Sequence, residues 1–279
     1  VSLPRKRPSG VRRAALFALV GAAVTSACAD LGQAPSDGTP DDDGDGPPAP
    51  ETVVIPAAAD NTMYDHPSVD LSNGAGNFLH IGTTPGNPVG LTRRALIRFD
   101  LSAIPAGSTI QSCRLDMHCS IIRTGDTAAR AAGLHRVTAS WGEGTSGCCG
   151  SGNGSGSGEG GGSLPTPGDA TWRYRSFDTV LWAAPGGDFA STASASTDIA
   201  AAGPVSWTST AALVADAQGW VDDPSGNHGW ILIGDESDPL GSGRRLDSRT
   251  NPTASNRPGL TVTYTPPSTA SLSQRESPR

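Results

Sequence analysis

Carboxylates and aromatic rings are the side chains of this sequence best placed to do chemistry. Glu143, Glu159, Asp169 and Asp188 fall in or near loops. A pair of carboxylates flanking a sugar ring can hydrolyse a glycosidic bond, but the criterion is their separation in space, which chain spacing does not provide. Charged loop residues are far more often solvated, and the chain is read as non-catalytic. Asp235, Glu236 and Asp238 in "GDESDP" follow an apolar run and offer oxygen ligands for a structural calcium ion, with a solvated turn as the competing reading. No other cofactor is implied. Trp172, Tyr174 and Trp182 flank a flexible-looking stretch and are candidate stacking platforms for the C–H faces of sugars. The alternative for each ring, as for Trp141 and Trp207, is a place in the core, where large aromatics contribute most of their energy by burial.

Other chemistries find no support. The sequence has no HExxH zinc motif, no GxSxG elbow and no phosphate-binding loop before a helix. His66, His80, His118, His135 and His228 are scattered, without metal-ligand spacing. Asp41, Asp43, Asp45 and Gly46 match the start of a calcium-binding EF-hand loop, but Pro47 and Pro48 follow and Thr52 stands where the bidentate Glu belongs. They read as an acidic spacer. Cys113 and Cys119 sit six residues apart on one predicted strand, roughly 20 Å, too far to bridge. They are either buried small residues, or one of them pairs with Cys148 or Cys149. His118 and Cys119 point to opposite faces, which rules out a shared zinc.

The elements that would position these residues are strands. In "RALIRFDL", Ala95, Ile97, Phe99 and Leu101 share one face, with Leu96 as the exception. In "TIQSCRLDMHCSI", Cys113, Leu115, Met117, Cys119 and Ile121 alternate with polar residues, as do Leu260, Val262 and Tyr264 further on. "GWILIG" (229–234) is apolar throughout, the pattern of a strand covered on both faces. One short helix is predicted over "AALVADAQGWV", capped by Ser209 or Thr210, with Leu213, Ala217 and Trp220 as its buried stripe. These features predict an all-β fold, a jelly-roll-type β-sandwich with one short helix. A single domain spans 52–266, with 148–170 as a flexible, Gly-rich surface loop inside it and a disordered tail over 267–279.

The N-terminal stretch reads as an export signal over 1–27. Five basic residues precede the apolar run "AALFALVGAAV", and "TSAC" follows. Cys28 is the expected lipidation site, and residues 28–51 form a disordered Pro/Gly/Asp tether. Removing the signal leaves 15 basic residues against 27 acidic, a net charge of -12. Such a surface repels nucleic acid and anionic membrane, so membrane contact is expected only through the lipid anchor, at the bacterial envelope, outer membrane or cell surface.

Several stretches together resemble the DNRLRE-domain family, which includes modules classed as carbohydrate-binding family 96 and disaggregatase-related repeats. They are "RRALIRFDLSAIPAGSTIQSCRLDM" (93–117), "HRVTASWGEGT" (135–145), "GDATW" (168–172), "WAAPGGDF" (182–189), "VADAQGWVDDPSGNHGWILIG" (214–234) and "RLDSRTNPTASNRPGLTVTY" (245–264). The resemblance implies a secreted or surface β-sandwich module that binds a polysaccharide or another cell-envelope polymer; some family members bind alginate. It transfers no certain binding residue. Thr250 stands where the family often has Glu after the "SR" pair. The alternatives are a structural or adhesive envelope protein without a sugar site and, third, a polysaccharide lyase or hydrolase.

Overall fold

The computed structural model describes residues 48–85, 91–147, 159–239 and 241–268. Its strands are β1 (Glu51–Tyr64), β2 (Phe78–Thr84), β3 (Leu91–Phe99), β4 (Thr109–Ile122), β5 (Arg130–Arg136), β6 (Tyr174–Ser176), β7 (Val180–Leu181), β8 (Ala195–Ile199), β9 (Gly203–Trp207), β10 (Trp230–Ile233), β11 (Arg244–Asp247) and β12 (Gly259–Thr265). One α-helix, α1 (Ala211–Asp222), lies between β9 and β10. Every pairing among the described strands is antiparallel, and the fold is all-β.

The strands form two sheets joined by strands that pass from one to the other. β1 pairs through Glu51–Pro56 with β12, then through Ala57–Tyr64 with β3, with an irregularity between Ala57 and Ala59. β2 likewise pairs first with β11 and then with β3. Strands that switch sheets at such irregularities make the corners of a stacked pair. β4 carries β12, β11 and β9 in the first sheet, while β10 runs between β3 and β5 in the second, with β8 outside β5. Strands from both sides of the Gly-rich stretch interleave in each sheet, so one core serves both halves of the chain.

That core holds the inward residues of both sheets, among them Phe99, Leu115, Trp207, Trp230, Leu232 and Leu260. Cys113 and Cys119 lie in it as free, buried thiols, and burial pushes the Cys113 thiol up to about 12. Cys148 and Cys149 lie outside the described residues. Helix α1 contributes Leu213, Ala217, Trp220 and Val221, with the Trp220 ring 4.5 Å from that of Trp230. Thr210 is its N-cap: Oγ1 accepts from the Leu213 N–H and donates to the Ser194 carbonyl. Thr210→Ala is expected to cost about 1–2 kcal/mol, read as a lower urea midpoint. An unchanged midpoint would show that the cap is dispensable.

A second apolar cluster lies on the outer face of the second sheet. It joins Ala59, Met63, Leu96 and Ile231 to Val137, Trp141, Ala170 and Trp182 from the long β5–β8 connection. Leu96 breaks the alternation of its strand because this cover gives it a second interior. β10 is apolar throughout for the same reason: Trp230 and Leu232 enter the first cluster and Ile231 the second.

The alternation of β4 ends earlier than its sequence indicates. Ile121 is 47% exposed. Arg245 lies opposite Ile121 and Leu246 opposite Cys119, which leaves Ser120 unmatched. This bulge inserts one residue, and a one-residue shift turns the following side chains to the opposite face.

Candidate binding site

The three candidate stacking rings do not form a platform. Trp182 is 4% exposed, packs in the second cluster and donates from Nε1 to the Thr171 carbonyl at 2.9 Å. Its ring is a structural wedge, which corrects the stacking expectation for it. Trp172 and Tyr174 are half-buried. The guanidinium of Arg94 covers Trp172 at 4.8 Å, and Phe177 meets Tyr174 edge-on at 5.5 Å. The other four Trp are buried, Trp207, Trp220 and Trp230 in the main core and Trp141 in the second cluster.

The calcium expectation is also corrected. Arg130 donates to Asp235 at 2.7 Å and to Asp238 at 2.6 Å, while Arg94 grips Glu236 through two bonds of 2.8 Å. The carboxylates of "GDESDP" are thus neutralised by guanidinium groups. Among the described residues no group of three or more His, Cys, Asp or Glu is arranged to hold a metal. Cys28 lies outside the described residues.

Residues 148–158 also lie outside them, but 159–170 are packed, contrary to the expectation of one mobile loop over 148–170. The Glu159 side chain is buried and accepts from Asn73 Nδ2 and the Phe78 N–H; its carbonyl accepts from the Tyr64 hydroxyl. Ser163 and Ser72 exchange backbone hydrogen bonds. Asp169 accepts from the N–H groups of Thr145 and Thr166, and Asp188 from those of Ala183 and Ala184. Anionic acceptors for orphan backbone donors make these carboxylates parts of the frame.

Glu143 belongs to a part-buried polar knot that joins stretches far apart in the chain. It accepts from the Asp60 N–H at 2.8 Å and holds Arg249 through both carboxylate oxygens. The Arg249 N–H donates to Asp60 Oδ2 at 2.7 Å. Asn61 donates to Ser72 and to the carbonyls of Glu143 and Ala170, and accepts from the Asn73 N–H. Burial pushes the Asp60 carboxyl up to about 7, helped by Glu143 and opposed by its bond from the Arg249 backbone. Thr250 donates to the Gly76 carbonyl.

The arrangement best suited to a ligand lies on the outer face where β4, β11 and β2 adjoin. Register places Ile121, Arg245 and His80 in one cross-strand row. A cavity of about 300 Å³ opens there, lined among others by Arg93, Arg123, Arg245, Ile121, Pro85 and Thr84. The Arg245 guanidinium lies 3.7 Å over the Phe78 ring, and its Nε donates to Ser120. Arg93 donates from Nε to the Gly160 carbonyl and from Nη1 to Thr84 and the Leu91 carbonyl. Arg244 also lines the cavity but is paired with Asp126. Among the described residues no carboxylate pairs with Arg93, Arg123 or Arg245. Burial lowers the pKa of Arg93 and of Arg245, with the charges of Asp247 and Glu159 opposing the shift at Arg245. A larger cavity of about 470 Å³ lies by Leu101, Ile104, Trp220 and Asn227, but the Asn227 amide is already bonded to the Phe99 carbonyl.

No protein-family model matches the chain, and no curated protein matches it.

Sequence reasoning missed the arginine groove. The alternation of β4 assigned Ile121 to the interior, and only the bulge at Ser120 turns it outward beside Arg245. The one legible signal was the arginine pattern itself: Arg93, Arg123 and Arg245 stand in a chain whose remaining charge is acidic.

Proposed function

We propose that the chain is a non-catalytic, lipid-anchored extracytoplasmic module of the DNRLRE type and jelly-roll class. In this reading it binds an acidic polysaccharide or another acidic cell-surface polymer. The observation that carries the reading is the groove lined by Arg93, Arg123 and Arg245, three guanidinium groups without paired carboxylates in a predominantly acidic protein. Burying a charge is costly unless it is paired, so a site of this kind favours an anionic ligand. Affinity electrophoresis of the full chain in gels containing acidic or neutral polysaccharides tests it. Retardation is expected in at least one acidic polymer, weakened by salt and by Arg123→Ala or Arg245→Ala. Migration unaffected by every acidic polymer overturns the proposal.

The polar knot favours a second reading. Glu143 and Arg249, from two of the resemblance-bearing stretches, tie to Asp60 and Asn61 and hold the frame, which suits a structural or adhesive envelope protein without a sugar site. It gains weight if no polymer binds.

A further inference from the structure

We propose that the arginine groove accepts a tetrahedral oxyanion, the sulfate ester or phosphate of a substituted sugar, in preference to a sugar carboxylate. The inference rests on the acidic-polymer reading and narrows its ligand.

The donors and charges of the groove carry it. A carboxylate has two oxygens and one charge, and a single guanidinium satisfies it through a bidentate contact. Here Arg93, Arg123 and Arg245 are among the residues lining one cavity of about 300 Å³, beside the Asp126-paired Arg244, with no acidic side chain in its lining. Arg93 has Nε and Nη1 engaged by Gly160, Thr84 and Leu91, which leaves Nη2. Arg245 has Nε engaged by Ser120, which leaves both terminal nitrogens. The Arg123 side chain makes no hydrogen bond or ion pair among the described residues. Donors from three separate side chains suit three outward oxygens on one centre better than two oxygens in a plane. A phosphate monoester, with up to two negative charges, also offsets more of this charge than a carboxylate does.

The walls add a second element. Ile121 is 47% exposed, and Ile81 and Pro85 also border the cavity. These apolar surfaces suit the C–H face of the sugar that bears the ester. Phe78 is already covered by Arg245, so it fixes the guanidinium in place and does not itself stack on sugar.

The test compares three polymers by affinity electrophoresis of the full chain at one ionic strength: dextran sulfate, a phosphorylated mannan and polygalacturonate. Dextran sulfate or the phosphomannan is expected to bind roughly tenfold more tightly than polygalacturonate, since each added charge-assisted contact is worth about one power of ten. Whichever of the two binds more tightly identifies the source of the oxyanion. Inorganic phosphate should displace the bound polymer, whereas acetate at equal ionic strength should not. Arg123→Ala, whose side chain makes no hydrogen bond or ion pair among the described residues, should remove the preference. Arg114→Ala, at an exposed pair with Asp116, should leave it intact. Polygalacturonate binding as tightly as the sulfated and phosphorylated polymers overturns the inference while leaving the acidic-polymer reading in place. Failure of all three to retard the chain overturns both.

Discussion

Asp60→Asn is expected to remove most of the loss of stability that the parent chain shows as the pH rises from about 4 to about 7. Asp60 is fully buried on β1, and burial pushes its carboxyl from 3.8 to about 7. Between those values the folded chain holds a proton that the unfolded chain has released, so stability falls as pH rises. The contribution is fully present below 3.8 and is lost as the pH passes through about 7. The shift corresponds to a loss on the order of 4 kcal/mol. One carboxylate oxygen, Oδ2, accepts from the Arg249 N–H, while Oδ1 has no hydrogen-bond partner. Asn preserves the shape and the first bond and cannot ionise. Urea unfolding at pH 4.5, 6 and 8 should give a flatter profile for the variant, with the two proteins nearly equal at the acid end. Parallel profiles would mean that Asp60 does not carry the effect.

Asp126→Ala is expected to destabilise the fold by about 3–5 kcal/mol, because it strands a buried cation. The Asp126 and Arg244 side chains are 3% and 2% exposed and meet at 2.9 Å. Arg244 also donates to the carbonyls of Ile199, Ala128 and Ser242, which fixes the guanidinium beside the carboxylate. Arg130, followed by Arg244 and the Ala128 N–H, holds the Asp126 carboxyl well below the usual carboxylate range. Its stabilisation is therefore present above about 3.9 and lost as the pH falls through the depressed value, opposite in sense to Asp60. The double variant Asp126→Leu, Arg244→Met should recover much of the loss, since an apolar pair of similar volume avoids desolvating two charges. Denaturant melts of the parent and both variants decide the matter. A single variant within about 1 kcal/mol of the parent would place the pair among ordinary surface contacts.

Much of the frame was legible from residue order. The stripe of Leu213, Ala217 and Trp220, the cap at Thr210 and the alternation through Leu260, Val262 and Tyr264 all depend on neighbours within one element. Trp182 and Ile121 were not legible in this way. Trp182 looks like an exposed loop ring until the outer face of the second sheet is seen to be covered. Ile121 looks buried until one unmatched residue turns it outward. The "GDESDP" carboxylates look free because Arg94 and Arg130 lie more than a hundred residues away.

The sequence by itself therefore determined the all-β class, the helix and most inward faces, because periodicity of 2 or 3.6 residues is a local property of backbone geometry. Tertiary structure alone decided which carboxylates are neutralised, which rings are covered and where three arginines share a cavity. Those outcomes depend on register and on a bulge, and both are set by pairing between strands far apart in the chain.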